Sequence, residues 1–173
     1  YRSTQLLTSE QMMSPINVVF VCLGNICRSP LAEGAFRAEL KARGLEQFFR
    51  VDSAGTGAWH VGEPPDPRSI RTAANYNVDI TEQRARVFIQ RDMERFDYIF
   101  AMDKSNQDDI LRRHTSGTSD KVHLYLTING TDVTEVPDPY YGGTDGFEHV
   151  WSLVSEATRL WLDQICSEHH LTN

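Results

Sequence analysis

The segment Cys22-Leu23-Gly24-Asn25-Ile26-Cys27-Arg28-Ser29 follows directly on the apolar run Ile16-Asn17-Val18-Val19-Phe20-Val21 and precedes Pro30. A near-continuous apolar run of this length reads as a strand buried on both faces, the mark of a parallel sheet. Pro30 suits the first turn of a helix, where a backbone N–H has no partner in any case. A strand that feeds a helix through so short a loop leaves the loop's N–H groups free to curl toward one point. Strand, cysteine, five residues, arginine, hydroxyl and helix together build a positive concavity, with a thiol at its floor and a guanidinium beside it.

The rest of the chain alternates strand and helix. Ala32, Ala35, Phe36 and Leu40 recur at helical spacing, and Gly44 ends that helix. Residues 48–54 read as a second strand and 55–67 as a loop rich in Gly and Pro. A helix then starts at Asp66 or Pro67 and runs to Asn75 or Tyr76. A third strand over 98–102, a helix over Lys104–Arg113, a fourth strand over 122–126 and a long loop over 129–146 follow. The last helix covers about 145–168, with the apolar stripe Phe147, Val150, Trp151, Val154, Ala157, Leu160, Trp161 and Ile165. Strands separated by helices predict a single α/β domain: a Rossmann-like parallel sheet with helices on both faces. Ligands of such sheets bind beyond the carboxyl ends of strands, where the strand order reverses, and the Cys22 loop lies at such an end.

Composition narrows the chemistry. The 173 residues suit one domain with a sizeable core, and no window approaches the ~18 apolar residues of a membrane span. A net charge of −7 disfavours nucleic acid and anionic membrane as partners. It also makes any attraction to phosphate local to the loop. The three cysteines, Cys22, Cys27 and Cys166, form no secreted disulfide framework and fit a reducing cytoplasm. Residues 1–14 are polar and lack the order of a signal peptide; they are expected to be a poorly ordered leader, with Met12 or Met13 as candidate native start.

A thiol at a helix N-terminus beside a cation ionises readily, so the position predicts a nucleophilic thiolate at Cys22, with Ser29 adding a hydroxyl hydrogen bond. Arg28 presents a planar fork that matches two phosphoryl oxygens. Gly24 is expected to adopt a backbone conformation that aims N–H groups inward. Asn25 tolerates a left-handed backbone, and its amide can tie the loop together. Cleavage of a phosphoester also needs a proton donor for the leaving oxygen. Asp138, between Pro137 and Pro139 and before Tyr140 and Tyr141, is the best candidate, although Asp-Pro is equally a turn signal. Asp66 and Asp103 read first as helix caps or loop anchors. Trp151 and Trp161 read as core, and Cys166 as a buried small residue. From spacing alone, Cys27 is either a packed thiol or a partner for a reversible disulfide with Cys22. Cys22 and Cys27 lack a second ligand pair for zinc. His60, His114, His123, His149, His169 and His170 show no ligand spacing and read as surface or packing residues.

The string Val21-Cys22-Leu23-Gly24-Asn25-Ile26-Cys27-Arg28-Ser29-Pro30-Leu31-Ala32-Glu33 resembles the signature of the low-molecular-weight protein tyrosine phosphatases. Asp52-Ser53-Ala54-Gly55, Gly62-Glu63-Pro64-Pro65-Asp66, Phe96-Asp97-Tyr98-Ile99, Met102-Asp103-Lys104-Ser105-Asn106 and Asp138-Pro139-Tyr140-Tyr141 resemble it too, in order, over about residues 16–168. The resemblance implies a four-stranded parallel sheet of the phosphotyrosine protein phosphatase I type over residues 15–170, no metal and no cofactor. It implies that Cys22 attacks phosphorus, that Arg28 and the loop amides stabilise the equatorial oxygens, and that Asp138 is general acid and then base. It further implies substrate-binding positions at Leu23, Gly24, Asn25, Ile26, Cys27, Ser29, Trp59, Tyr140 and Tyr141, and favours the disulfide reading of Cys27. Relatives resembling arginine-phosphate phosphatases carry Thr at the position of Ile26, so isoleucine points to phosphotyrosine. Animal members tend to have His near Tyr76; Tyr76 is given no role. Phosphorylation of Tyr140 or Tyr141 is a further expectation of the resemblance.

The expected partner is a tyrosine-phosphorylated protein. The brief Asp-Pro-Tyr-Tyr-Gly-Gly loop suggests, by analogy, a bacterial tyrosine kinase linked to surface polysaccharide. An arsenate reductase of the same fold needs two further cysteines in mid-chain, and none lies between Cys27 and Cys166. A non-catalytic phosphotyrosine-binding module would have lost Cys22, Arg28 or Asp138, and all three are present.

Overall fold

Strands β1 (Ile16–Cys22), β2 (Phe49–Gly55), β3 (Tyr98–Ala101) and β4 (Val122–Leu124) form one wholly parallel sheet in the order β2-β1-β3-β4. This computed structural model describes residues 14–114 and 119–171; the expected leader, residues 1–14, lies outside them except for Ser14. β1 pairs with β2 from Ile16 opposite Phe49 to Cys22 opposite Gly55, and with β3 from Val18 opposite Tyr98 to Val21 opposite Ala101. The helices are α1 (Arg28–Arg43), α2 (Pro67–Asn75), α3 (Gln90–Arg95), α4 (Lys104–Arg113) and α5 (Thr144–Glu168).

The period-two alternation of β1 divides the core. Val18, Phe20 and Cys22 face a cluster that includes Leu31 and Phe36 of α1 and Val150, Val154 and Trp161 of α5. Val19 and Val21 face Met93 of α3 and Ile110 of α4 on the other side. A strand buried on both faces has no polar face to show, which is why its sequence does not alternate. Phe20 is fully buried, with its ring 5.5 Å from that of Phe36, 5.6 Å from Phe100 and 5.1 Å from Tyr125. Trp161 donates its indole N–H to the Tyr125 carbonyl at 2.8 Å, tying α5 to the segment after β4. Tyr76, just beyond α2, stacks on Trp151 at 5.1 Å and donates to Glu148 at 2.7 Å, so its contacts fasten α2 to α5.

Three elements depart from the sequence reading. The fourth strand stops at Leu124, because Tyr125–Asn129 curls into a 3₁₀ turn. Tyr125 and Leu126 are fully buried in that turn, so an apolar run did not distinguish strand from buried turn. Helix α1 begins at Arg28 rather than Pro30, which puts Arg28 and Ser29 in its first turn; it ends as expected at Gly44, whose φ is 68°. The short α3 lies within a segment the sequence reading left unassigned. Its first turn is held by the Asp92 carboxylate, which accepts from the Ile89 N–H at 2.8 Å.

The strand order reverses between β1 and β3, so the segments leaving those two strands part company at the carboxyl edge of the sheet. That fork opens around Cys22 on one side and Asp103 on the other. Because Phe20 carries the packing beneath it, Phe20→Ala is expected to cost about 3–5 kcal/mol. A urea midpoint that moves by less than about 1 kcal/mol equivalent would contradict this packing.

Candidate active site

Cys22 closes β1 and is buried. Its Sγ accepts the Asn25 N–H at 3.3 Å and lies 3.0 Å from Ser29 Oγ. Asn25 Nδ2 donates both to Ser29 Oγ, at 2.8 Å, and to Ser53 Oγ on β2, at 2.9 Å. Asn25 Oδ1 accepts the Arg86 N–H at 3.0 Å. Since the Ser29 hydroxyl oxygen accepts from Asn25, its own proton is free for the sulfur. Two donors therefore converge on Cys22 Sγ. Asn25 takes φ of 57°, the left-handed conformation its residue type tolerates, and this turns the chain under the thiol.

The loop carbonyls point outward. Thr56 N–H donates to the Cys22 carbonyl at 2.9 Å, Gly57 N–H to Leu23 at 2.8 Å and Asp66 N–H to Ile26 at 2.8 Å; the Ser69 hydroxyl donates to Cys27 at 3.3 Å. In a trans peptide the N–H of the next residue points opposite to the carbonyl. The N–H groups of Leu23, Gly24, Cys27 and Arg28 are thereby turned to the inner side of the loop. Gly24 lies outside the left-handed region. Space is tight beside it: a Cβ there would stand 3.1 Å from the His60 ring. Gly55 is likewise a matter of close approach, because a Cβ would come within 2.8 Å of the Leu23 carbonyl oxygen.

Arg28 is only 3% exposed. Its Nη1 donates to Asp103 Oδ2 at 2.5 Å and to the Val136 carbonyl at 3.1 Å. Its Nη2 lies 3.8 Å from Asp138 Oδ2. Burial disfavours the Arg28 charge, but Cys22, Asp103 and Asp138 outweigh it and push its proton affinity up. Asp103 divides its two oxygens: Oδ2 holds Arg28, and Oδ1 caps α4 by accepting the Asn106 N–H at 2.8 Å. The sequence reading assigned it only the cap or anchor. Its position two residues past β3, at the fork in the sheet, was the available signal.

Asp138 arrives on the loop between β4 and α5. Val136 N–H donates to the Met102 carbonyl at 2.7 Å, stitching that loop to the end of β3. Asp138 Oδ1 accepts the Tyr140 N–H at 3.0 Å, which leaves Oδ2 toward Arg28, and the side chain is 42% exposed. A cleft of about 320 Å³ gathers Cys22, Leu23, Gly24, Ile26, Cys27, Arg28, Trp59, Asp138, Tyr140 and Tyr141. It also includes His60, read from sequence as a surface or packing residue, which holds the Glu63 carboxylate through Nδ1 at 2.6 Å. Asn25 and Ser29 do not line the cleft. They sit buried behind the loop and act on the thiol from there. The walls are aromatic, with Trp59 72% and Tyr141 93% exposed at the rim. Among the described residues, no group of three or more His, Cys, Asp or Glu side chains could hold a metal ion.

A buried thiol that can accept two hydrogen bonds, a ring of inward amides, a committed guanidinium and an exposed carboxyl form a site for attack on a tetrahedral oxyanion. The comparisons agree with that class. A sequence profile described as low molecular weight phosphotyrosine protein phosphatase matches residues 17–171. The chain is 49% identical over 138 residues to the low molecular weight phosphotyrosine protein phosphatase of Schizosaccharomyces pombe, covering 79% of this chain and 88% of that one. It is 38% identical over 159 residues to the low molecular weight protein-tyrosine-phosphatase YfkJ of Bacillus subtilis, covering 90% and 99%. The crystal structure of YfkJ superposes with a TM-score of 0.85 at 37% identity, covering 90% of this chain and 97% of that one. A protein tyrosine phosphatase from Entamoeba histolytica, with Hepes in its active site, does so with 0.83 at 34%, covering 91% and 99%. The chain belongs to the low molecular weight phosphotyrosine protein phosphatase family.

Three outcomes follow from this geometry. Removing one partner of a buried ion pair strands the other charge, so Asp103→Ala is expected to destabilise the fold by about 3–5 kcal/mol in chemical denaturation at pH 7. Burial, with Asp66 adding to it, pushes the Cys27 thiol up from 9.0 to about 12. Cys27 is thus neutral at ordinary pH and should resist iodoacetamide between pH 6 and ~8, while Cys22 is labelled, as read by peptide mass spectrometry. The neutral thiol's contribution to stability is complete below 9.0 and is lost as pH rises toward about 12, so stability should fall in that window.

Proposed function

We propose that this protein hydrolyses phosphotyrosine in proteins through a cysteinyl-phosphate intermediate. The observation that carries the reading is the convergence of Cys22 Sγ, the Arg28 guanidinium and Asp138 Oδ2 on one cleft, with Nη2 and Oδ2 3.8 Å apart. In the first step the Cys22 thiolate attacks phosphorus, the bond from phosphorus to the tyrosine oxygen breaks, and Asp138 gives its proton to that oxygen. In the second step Asp138 takes a proton from water, the water oxygen attacks phosphorus, and the sulfur leaves as thiolate with inorganic phosphate as product. Arg28 and the amides of the loop stabilise the equatorial oxygens, whose charge is greatest in the transition state.

Substrate choice follows from shape. Trp59, Tyr140 and Tyr141 wall an aromatic ring above the anion, with Ile26 and Leu23 adding apolar surface at the floor and side. The shorter side chain of phosphoserine leaves those walls unfilled. The substrate is therefore a tyrosine-phosphorylated protein, and a bacterial tyrosine kinase is one candidate, supported by the short loop over residues 138–143. The catalytic unit is residues 15–170. Three buried free thiols support a reducing cytoplasmic setting. Among the described residues no helix is long and apolar enough to cross a membrane.

The test is hydrolysis of an aryl phosphate by wild type and variants. Cys22→Ser should show no detectable turnover, and Asp138→Ala should lower kcat by ~10²–10³-fold, with inorganic phosphate still bound by both. Full activity in Cys22→Ser would overturn the mechanism. Equal rates on phosphotyrosine and phosphoserine peptides would overturn the assigned specificity.

A further inference from the structure

The cleft has one part that lies away from the sheet: the loop that carries Asp138. Its near end is fixed by Val136, through Met102 and Arg28. Its far end is fixed by a residue outside the cleft. Arg68, in the first turn of α2, donates through Nη1 to the Tyr140 carbonyl at 3.0 Å. The same guanidinium grips Asp66 through Nε at 3.0 Å and Nη2 at 2.9 Å, and Asp66 holds the Arg68 N–H at 2.8 Å. Asp66 in turn donates its N–H to the Ile26 carbonyl of the thiol loop at 2.8 Å. The guanidinium also stacks 4.6 Å from the buried Phe147 ring and 5.5 Å from that of Tyr140. The hydrogen bonds from Arg68 hold the Asp66 carboxyl below the usual carboxylate range, which keeps the pair charged.

A continuous chain therefore joins the two loops: Ile26 carbonyl, Asp66, Arg68, Tyr140, Asp138. Its last link is the Tyr140 N–H on Asp138 Oδ1 at 3.0 Å, the contact that leaves Oδ2 facing the cleft. On the phosphatase reading above, we propose that Arg68 is the positioning residue for the proton donor, fixing the height of Asp138 above the thiol loop. The role needs a planar fork. One edge must satisfy a carboxylate while the remaining nitrogen reaches a carbonyl, and a lysine ammonium has no such geometry. The proton donor touches the leaving oxygen and Arg68 does not. Its loss should show only where proton donation matters.

Leaving-group dependence reads that distinction. Phenyl phosphate expels a basic phenolate and needs the acid, whereas 2,4-dinitrophenyl phosphate expels a stable anion and hardly needs it. Arg68→Met is expected to lower kcat/KM for phenyl phosphate by about 10- to 100-fold and for 2,4-dinitrophenyl phosphate by less than about threefold, with the inhibition constant of inorganic phosphate unchanged. Arg68→Lys, which keeps the charge without the fork, should show the same selective loss, and decides the matter if the methionine variant does not fold. Equal losses on both esters, or no loss on either, would overturn the role. A wild-type protein inactive on both esters would instead overturn the phosphatase reading on which it rests.

Discussion

A single buried positive charge organises this molecule. Taking a guanidinium out of water is costly unless its donors are satisfied, and Arg28 meets that cost by drawing three segments together. Asp103 comes from the end of β3, the Val136 carbonyl from the loop before α5, and Arg28 itself from the first turn of α1. Remove that charge and the three have no common partner. The strand order determines that they can meet at all, because the chain leaves β1 and β3 in diverging directions at the same edge of the sheet.

Two carboxylates near that charge have separate tasks because their surroundings differ. Asp103 spends one oxygen on Arg28 and the other on the α4 cap, so neither is available to a substrate. Asp138 has one oxygen engaged by its own loop and the other open, on a side chain nearly half exposed. The cysteines divide in a similar way. Cys22 meets donors from Asn25 and Ser29, whereas burial and the nearby Asp66 keep Cys27 protonated. Chemical role here is a matter of what each group's neighbours leave unused.

Much of this was legible in the chain. The unbroken apolar character of β1 announces burial on both faces, and the Cys22-to-Arg28 spacing announces an anion loop. Gly44 and Asp66 mark helix ends by local chemistry alone. What escaped is what depends on distance along the chain. The Asp103 carboxylate meets Arg28 across 75 residues, a pairing no local pattern encodes. His60 looked idle until the fold laid its ring against Gly24. The end of β4 was misjudged because Tyr125 and Leu126 are as apolar and buried as any strand residue, and α3 is too short for periodicity to register.

With Nη1 of Arg28 fastened to the scaffold and the carbonyls of Cys22, Leu23, Ile26 and Cys27 engaged from outside, the anion cup is braced from behind. A cup braced for three oxygens offers the same donors to an ester and to the free ion that hydrolysis releases, since both present the same face. The end product is thus a built-in competitor, and flux through such a site is throttled wherever orthophosphate accumulates.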